Sequence, residues 1–144
     1  MRKLSLGIAL IAALAVSASA LASGMPGIRF LTPKPSATTN SKVTFAVKLT
    51  NFKIDAKDVG KMKKANLGHL HFQMDNGKYD YPKYSGANGK LAVKLGIAGK
   101  YSPAVTRTIT YSHLPKGKHT LVAFLANNDH SAVGPKASLT FTVK

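Results

Sequence analysis

The sequence predicts an all-β fold of the sandwich type, and three observations carry that expectation. Four segments alternate apolar and polar residues with period two, and a fifth is apolar on both faces. Clusters of Gly, Pro and Asn separate these segments at short intervals. No segment has a convincing helical period; Asp55 to Ala65 has room for one turn.

The elements follow in chain order. Met1-Arg2-Lys3 is a short positive start, and Leu4 to Val16 is an apolar run too short to span a bilayer, which takes about 20 residues. Ala18-Ser19-Ala20 and Ala20-Leu21-Ala22 both fit the small-x-small rule for signal cleavage. Residues 1–22 therefore read as a signal peptide, and residues 23–144 as a single β-sandwich domain that is secreted or periplasmic. No later stretch is apolar enough for a membrane span, and the lack of any Cys excludes a lipid-anchored cysteine, a disulfide, thiol catalysis and thiolate metal sites.

Ile28 to Leu31 is a plausible short strand. Lys42 to Thr50 places Val43, Phe45, Val47 and Leu49 on one face and Thr44, Lys48 and Thr50 on the other. Gly68 to Asp75 places Leu70, Phe72 and Met74 inward and His69, His71 and Gln73 outward, and Asp75-Asn76-Gly77 ends it in a turn. Lys78 to Ala104 is a long irregular stretch broken by Pro and Gly, with a weaker strand candidate at Lys90 to Leu95. Arg107 to Leu114 is the next strand and Leu114-Pro115-Lys116-Gly117 a turn; His119 to Ala126 is apolar on both faces, as in a central strand. Ala137 to Lys144 closes the chain with Leu139, Phe141 and Val143 inward. About seven short strands of this kind predict an immunoglobulin-like antiparallel β-sandwich.

Charge narrows the partners. The chain carries 21 Lys+Arg against 5 acidic residues, all Asp, for a net +16, and loss of Arg2 and Lys3 with the signal leaves +14. Scattered lysines give weak attraction to anionic envelope polymers. They do not make a shaped phosphate site, which favours the planar fork of Arg, and only Arg29 and Arg107 follow the signal. No specific nucleic-acid binding is predicted.

The histidines carry the chemistry. His69 and His71 leave the same face of one strand, with Cα atoms about 6–7 Å apart. In an immunoglobulin-like sandwich their strand runs antiparallel beside the His119 strand, so its start meets the other's end, where Asp129 and His130 follow. His119 then lies about 20 Å away at strand rise. The expected metal site is His69, His71 and His130, with Asp129 as a ligand or as a partner orienting one. Neutral imidazoles without thiolate favour copper or zinc, and Cu(II) heads the affinity order. Met74 faces the core, which argues against a thioether role for it. His113 reads as a surface residue, and His119, following a turn, as one that hydrogen-bonds that turn.

Gly68-His69-Leu70-His71, then Leu114-Pro115-Lys116-Gly117-Lys118-His119-Thr120-Leu121, then Asp129-His130, resembles a family of exported bacterial domains of unknown function. That resemblance implies export and an immunoglobulin-like sandwich and brings no activity with it. Gly-x-His-x-His is also similar to the first copper-ligand strand of Cu,Zn superoxide dismutase. The chain lacks the bridging His, zinc loop and disulfide that this activity needs, so dismutation is rejected.

Other catalytic patterns are missing: no Glu, no Gly-x-Ser-x-Gly elbow and no phosphate-binding Gly loop. The predicted function is a non-enzymatic exported binding protein holding copper or zinc through a histidine cluster. The alternatives are an adhesive or carbohydrate-binding module, with Tyr79, Tyr81 and Tyr84 stacking on sugar rings, and a purely structural envelope domain.

Overall fold

A computed structural model of the chain describes residues 24–78, 90, 94 and 101–144. The expected signal peptide and Tyr79, Tyr81 and Tyr84 lie outside the described residues. Nine strands are described: β1 (Gly27–Thr32), β2 (Thr38–Thr39), β3 (Val43–Thr50), β4 (Lys53–Ile54), β5 (Leu67–Met74), β6 (Ser102–Ala104), β7 (Thr108–Tyr111), β8 (Gly117–Asn127) and β9 (Ala132–Val143). They form one sheet in the order β1-β3-β7 and a second in the order β2-β9-β8-β5-β4, with β6 also pairing β5. Of the six longer strands, the first, second and fourth share one sheet and the third, fifth and sixth the other. That is the division of an immunoglobulin-like sandwich.

The core forms where the inward faces of the two sheets meet. Val43, Phe45 and Val47 of β3 and Ile109 and Tyr111 of β7 face Leu70, Phe72, Leu121, Leu125 and Phe141 of the other sheet, all buried. Phe45 is the hinge of this packing: it meets Phe141 across the sheets at 5.1 Å between ring centroids and Tyr111 within its own sheet at 6.0 Å, both edge to face. Edge-to-face contact sets a positive ring edge against a negative ring face, which adds to the burial. Met74 is fully buried in the same core, as its phase along β5 predicts.

Several sequence expectations are corrected here. β8 is central in its sheet, as expected, but its two faces are buried unequally: His119, Leu121, Ala123 and Leu125 point inward and are buried, whereas on the other face Thr120, Val122 and Phe124 are half-buried and only Ala126 is buried. β9 begins at Ala132, five residues before the expected Ala137. A bulge displaces its register between Phe124↔Lys136 and Leu125↔Val133, and Gly134 takes a φ of 43° there. Gly134-Pro135 reads as a loop in sequence because both residues disfavour a regular ladder, yet a bulge accommodates both. Lys90 and Lys94, in the weaker strand candidate, are helical. β2, β4 and β6 escape sequence reading because two or three residues cannot establish a period. Among the described residues no helix is long and apolar enough to cross a membrane.

β5 and β8 run antiparallel with Gly68↔Asn127, His69↔Ala126, His71↔Phe124 and Met74↔Leu121 in register. This pairing positions the site. Gly68 makes it possible: a Cβ there would lie 2.0 Å from the carbonyl oxygen of Ala126. The two backbones approach at this point as only glycine permits, beside His69 and at the root of the β8–β9 turn.

Candidate metal centre

His69 and His71 project from the face of β5 opposite Leu70, Phe72 and Met74, as the period-two geometry requires. That face is away from the core, and the sequence reading makes it polar and exposed. The structure instead buries both rings, to 0% exposure for His69 and 4% for His71. Aromatic side chains cover them. His71 stacks on Tyr101, with centroids 5.4 Å apart and planes 20° apart, and meets Phe124 edge-on at 5.3 Å. Phe124 is the cross-strand neighbour of His71 and in turn lies under the Lys136 ammonium, 5.4 Å from its ring centre.

His130 arrives from the β8–β9 turn. Its N–H donates to Asn127 O at 3.0 Å, and the Asn127 N–H donates to Ser131 O at 2.9 Å. The turn closes with His130 in the left-handed region, at φ 66°. Glycine and asparagine are the usual residues there, and a larger side chain is accepted at some cost in backbone energy. This conformation turns the His130 ring back over the start of β5.

The three rings converge on one another. His69 Nε2 lies 2.9 Å from His71 Nε2 and 3.0 Å from His130 Nδ1. One donor nitrogen from each ring can be chosen so that all lie within 4.8 Å. Nitrogens sharing one ion at about 2.0–2.1 Å lie at most about 4.2 Å apart. The two short spacings meet that limit. A ring nitrogen has a single in-plane position, as N–H or as lone pair, so His69 Nε2 cannot make two good hydrogen bonds at once. A cation can satisfy all three lone pairs. The far nitrogens, His69 Nδ1 and His130 Nε2, are buried with no hydrogen-bond partner among the described residues. Orphaned buried nitrogens cost stability and mark sites that serve something other than stability.

The electrostatics keep the cluster neutral. Burial, then the neighbouring His71 and His130, push the His69 imidazolium down from 6.5 to about 3. Burial and His130 push His71 down to about 4. Burial also lowers His130, against an opposing pull from Asp129. At neutral pH all three rings therefore present lone pairs, the form a metal takes.

The remaining sequence candidates divide. The structure does not bring Asp129 into the cluster as a donor: its carboxylate accepts from the Ser131 N–H at 3.0 Å and from the Ser131 hydroxyl. It shapes the turn instead, and its negative charge acts on His130. His113 is exposed in left-handed turn geometry. His119 is buried at the opposite end of the β5–β8 ladder. Its Nε2 faces Pro115 O at 2.8 Å, in the turn before it, and its Nδ1 faces Asp75 Oδ2 at 2.7 Å. Asp75 Oδ1 also accepts from the Thr120 N–H at 2.7 Å. Sequence reading leaves Asp75 as a turn residue, and nothing local marks a partner more than forty positions away. Tyr101 and Phe124, which wall the site, are also missed. Tyr101 sits in an irregular stretch, and Phe124 reads as one more apolar residue of a central strand.

No family model matches the chain, and no curated protein matches it. Among solved structures it is similar to the fibronectin(III)-like modules of Clostridium thermocellum CbhA, at 15% identity and a TM-score of 0.43. That similarity covers 83% of this chain and 47% of that one, so the chain spans about half the length of that structure. The resemblance to exported bacterial domains of unknown function rests on the motifs alone.

Proposed function

We propose that this chain is an exported, non-enzymatic binding protein that holds one copper or zinc ion through His69, His71 and His130. The observation that carries the reading is the convergence of three neutral imidazole nitrogens, two of the spacings being 2.9 and 3.0 Å, in a setting that offers them no other full set of partners. Two of the ligands stand on a paired strand and the third on a tight hydrogen-bonded turn, so the site is preorganised. Preorganisation lowers the ordering cost of binding. Imidazole donors suit both ions, with copper favoured by the affinity order. Export rests on the N-terminal signal pattern. The lysine-rich surface draws the protein weakly to anionic polymers of the envelope.

Calorimetric titration of Cu(II) and Zn(II) into the untagged mature protein tests this, beside a His69→Ala/His71→Ala double variant. The expected result is one-to-one binding with a Kd below about 1 μM, weakened at least about a hundredfold in the variant. Weak binding that is the same in both proteins would contradict the proposal.

A further inference from the structure

With His69 and His71 buried on the sheet, the half-exposed His130 is the face of the cluster that an ion meets first. An open pocket lies on that side, lined by Gly60, Lys61, Met62, Lys63, Asp129 and His130. The segment before Met62 is tied to the His130 turn. The Gly60 N–H donates to Asn128 O at 2.7 Å, the fully buried Asn128 side chain donates to Asp55 at 3.4 Å, and Val59 is buried. Two residues beyond Gly60, Met62 is 86% exposed.

An apolar side chain that exposed, among lysines, contributes nothing to packing. It stands beside a candidate metal ligand on a segment pinned in place. The other polar groups of the pocket have partners: one oxygen of the Asp129 carboxylate accepts from Ser131, and Lys61 is paired with Asp58. Lys63 adds a positive charge to the rim. The Asp129 carboxylate on the same rim offsets that charge, so the choice of ion falls to the type of donor. A thioether is a soft ligand that selects Cu(I) and adds little for Zn(II). We infer that Met62 is a copper ligand at the mouth of the histidine cluster, and that its sulfur gives the site preference for cuprous ion. This inference rests on the metal-binding reading of His69, His71 and His130, and it names the ion and the fourth donor.

Met25 is a control within the same chain, being 83% exposed and not lining this pocket. Cu(I) affinity is measured anaerobically by competition with a chromophoric Cu(I) chelator, and Zn(II) affinity by calorimetry. The proteins are the wild type, Met62→Leu, Met25→Leu and His69→Ala/His71→Ala. Met62→Leu is expected to lower Cu(I) affinity at least about tenfold while changing Zn(II) affinity less than about twofold, with Met25→Leu leaving both unchanged. X-ray absorption of the Cu(I) protein should show a sulfur scatterer that Met62→Leu removes. Unchanged Cu(I) affinity in Met62→Leu and no sulfur scatterer would overturn the Met62 role, and the histidine site would still stand if the double variant loses both metals. A wild-type protein that binds neither metal would overturn both.

Discussion

The β5–β8 ladder carries buried histidines at both ends, and the two ends treat them in opposite ways. At one end His119 is enclosed by oxygens: Asp75 Oδ2 at 2.7 Å and Pro115 O at 2.8 Å. Each ring nitrogen of His119 thus faces an oxygen able to accept a hydrogen bond. At the other end His69, His71 and His130 face one another nitrogen to nitrogen, and two further ring nitrogens lack partners among the described residues. His119 is an anchor whose bonding is complete. In the three-ring cluster the near nitrogens have only one another, and a cation satisfies the lone pairs that they turn inward. Burial alone does not separate these roles, since His71 and His119 are both 4% exposed. The identity of the neighbouring atoms does.

The largest effect of a single substitution should come from the strand contact that holds the cluster. In Gly68→Ala the new Cβ meets the Ala126 carbonyl at 2.0 Å, so β5 and β8 must separate. A stability loss of about 3 kcal/mol in urea unfolding is expected, together with weakened metal binding. A variant as stable as wild type would mean that the close approach does not constrain the site.

Matching substitutions at the two ends sharpen the contrast. His119→Phe leaves Asp75 and the Pro115 carbonyl without their ring partner and should cost about 2–3 kcal/mol, with metal affinity intact. The same substitution at His71 removes a neutral ring set between Tyr101 and Phe124 and should change stability by less than about 1 kcal/mol, while metal affinity collapses. Equal costs at the two positions would erase the distinction.

Acid acts on the same cluster. His69 and His71 are neutral when folded and become charged only near 3 and 4, against 6.5 when unfolded. Above 6.5 both states are neutral and their full contribution to stability is present. Below it the unfolded chain gains protons that the folded one refuses, so stability falls as pH drops toward the folded values. A loss of about 4 kcal/mol between pH 7 and pH 5, about 2 from each ring, is expected for the metal-free protein, followed by thermal unfolding at each pH. The His69→Ala/His71→Ala variant should lose most of this dependence. A flat profile in the wild type would show that the rings are not held neutral by burial.

Much of the frame is legible in the sequence because period two reports directly on which face of a strand is buried. Val43, Phe45, Leu70, Phe72 and Phe141 all lie where their phase puts them. The convergence of His69, His71 and His130 is foreseeable for a related reason: antiparallel pairing of two recognisable strands brings the start of one to the end of the other. The burial of the histidines is not legible, because Tyr101 and Phe124 pack on His71, and His71 and His130 pack on His69, across the outer face of a sheet. Nor is the Asp75–His119 pair, which joins the turn after β5 to the start of β8. Asp129 misleads for a simpler reason. One oxygen of its carboxylate accepts both the N–H and the hydroxyl of Ser131, two residues away, and local bonding of that kind competes with a ligand role.

The central claim is that three imidazoles share one ion, and pulsed electron paramagnetic resonance on protein loaded with one equivalent of Cu(II) tests it most directly. The remote nitrogens of coordinated imidazoles modulate the echo, and their number can be counted. Three equatorial or near-equatorial imidazoles are expected in the wild type, falling to two in His130→Ala. A spectrum with one imidazole or none, unchanged by His130→Ala, would contradict the account.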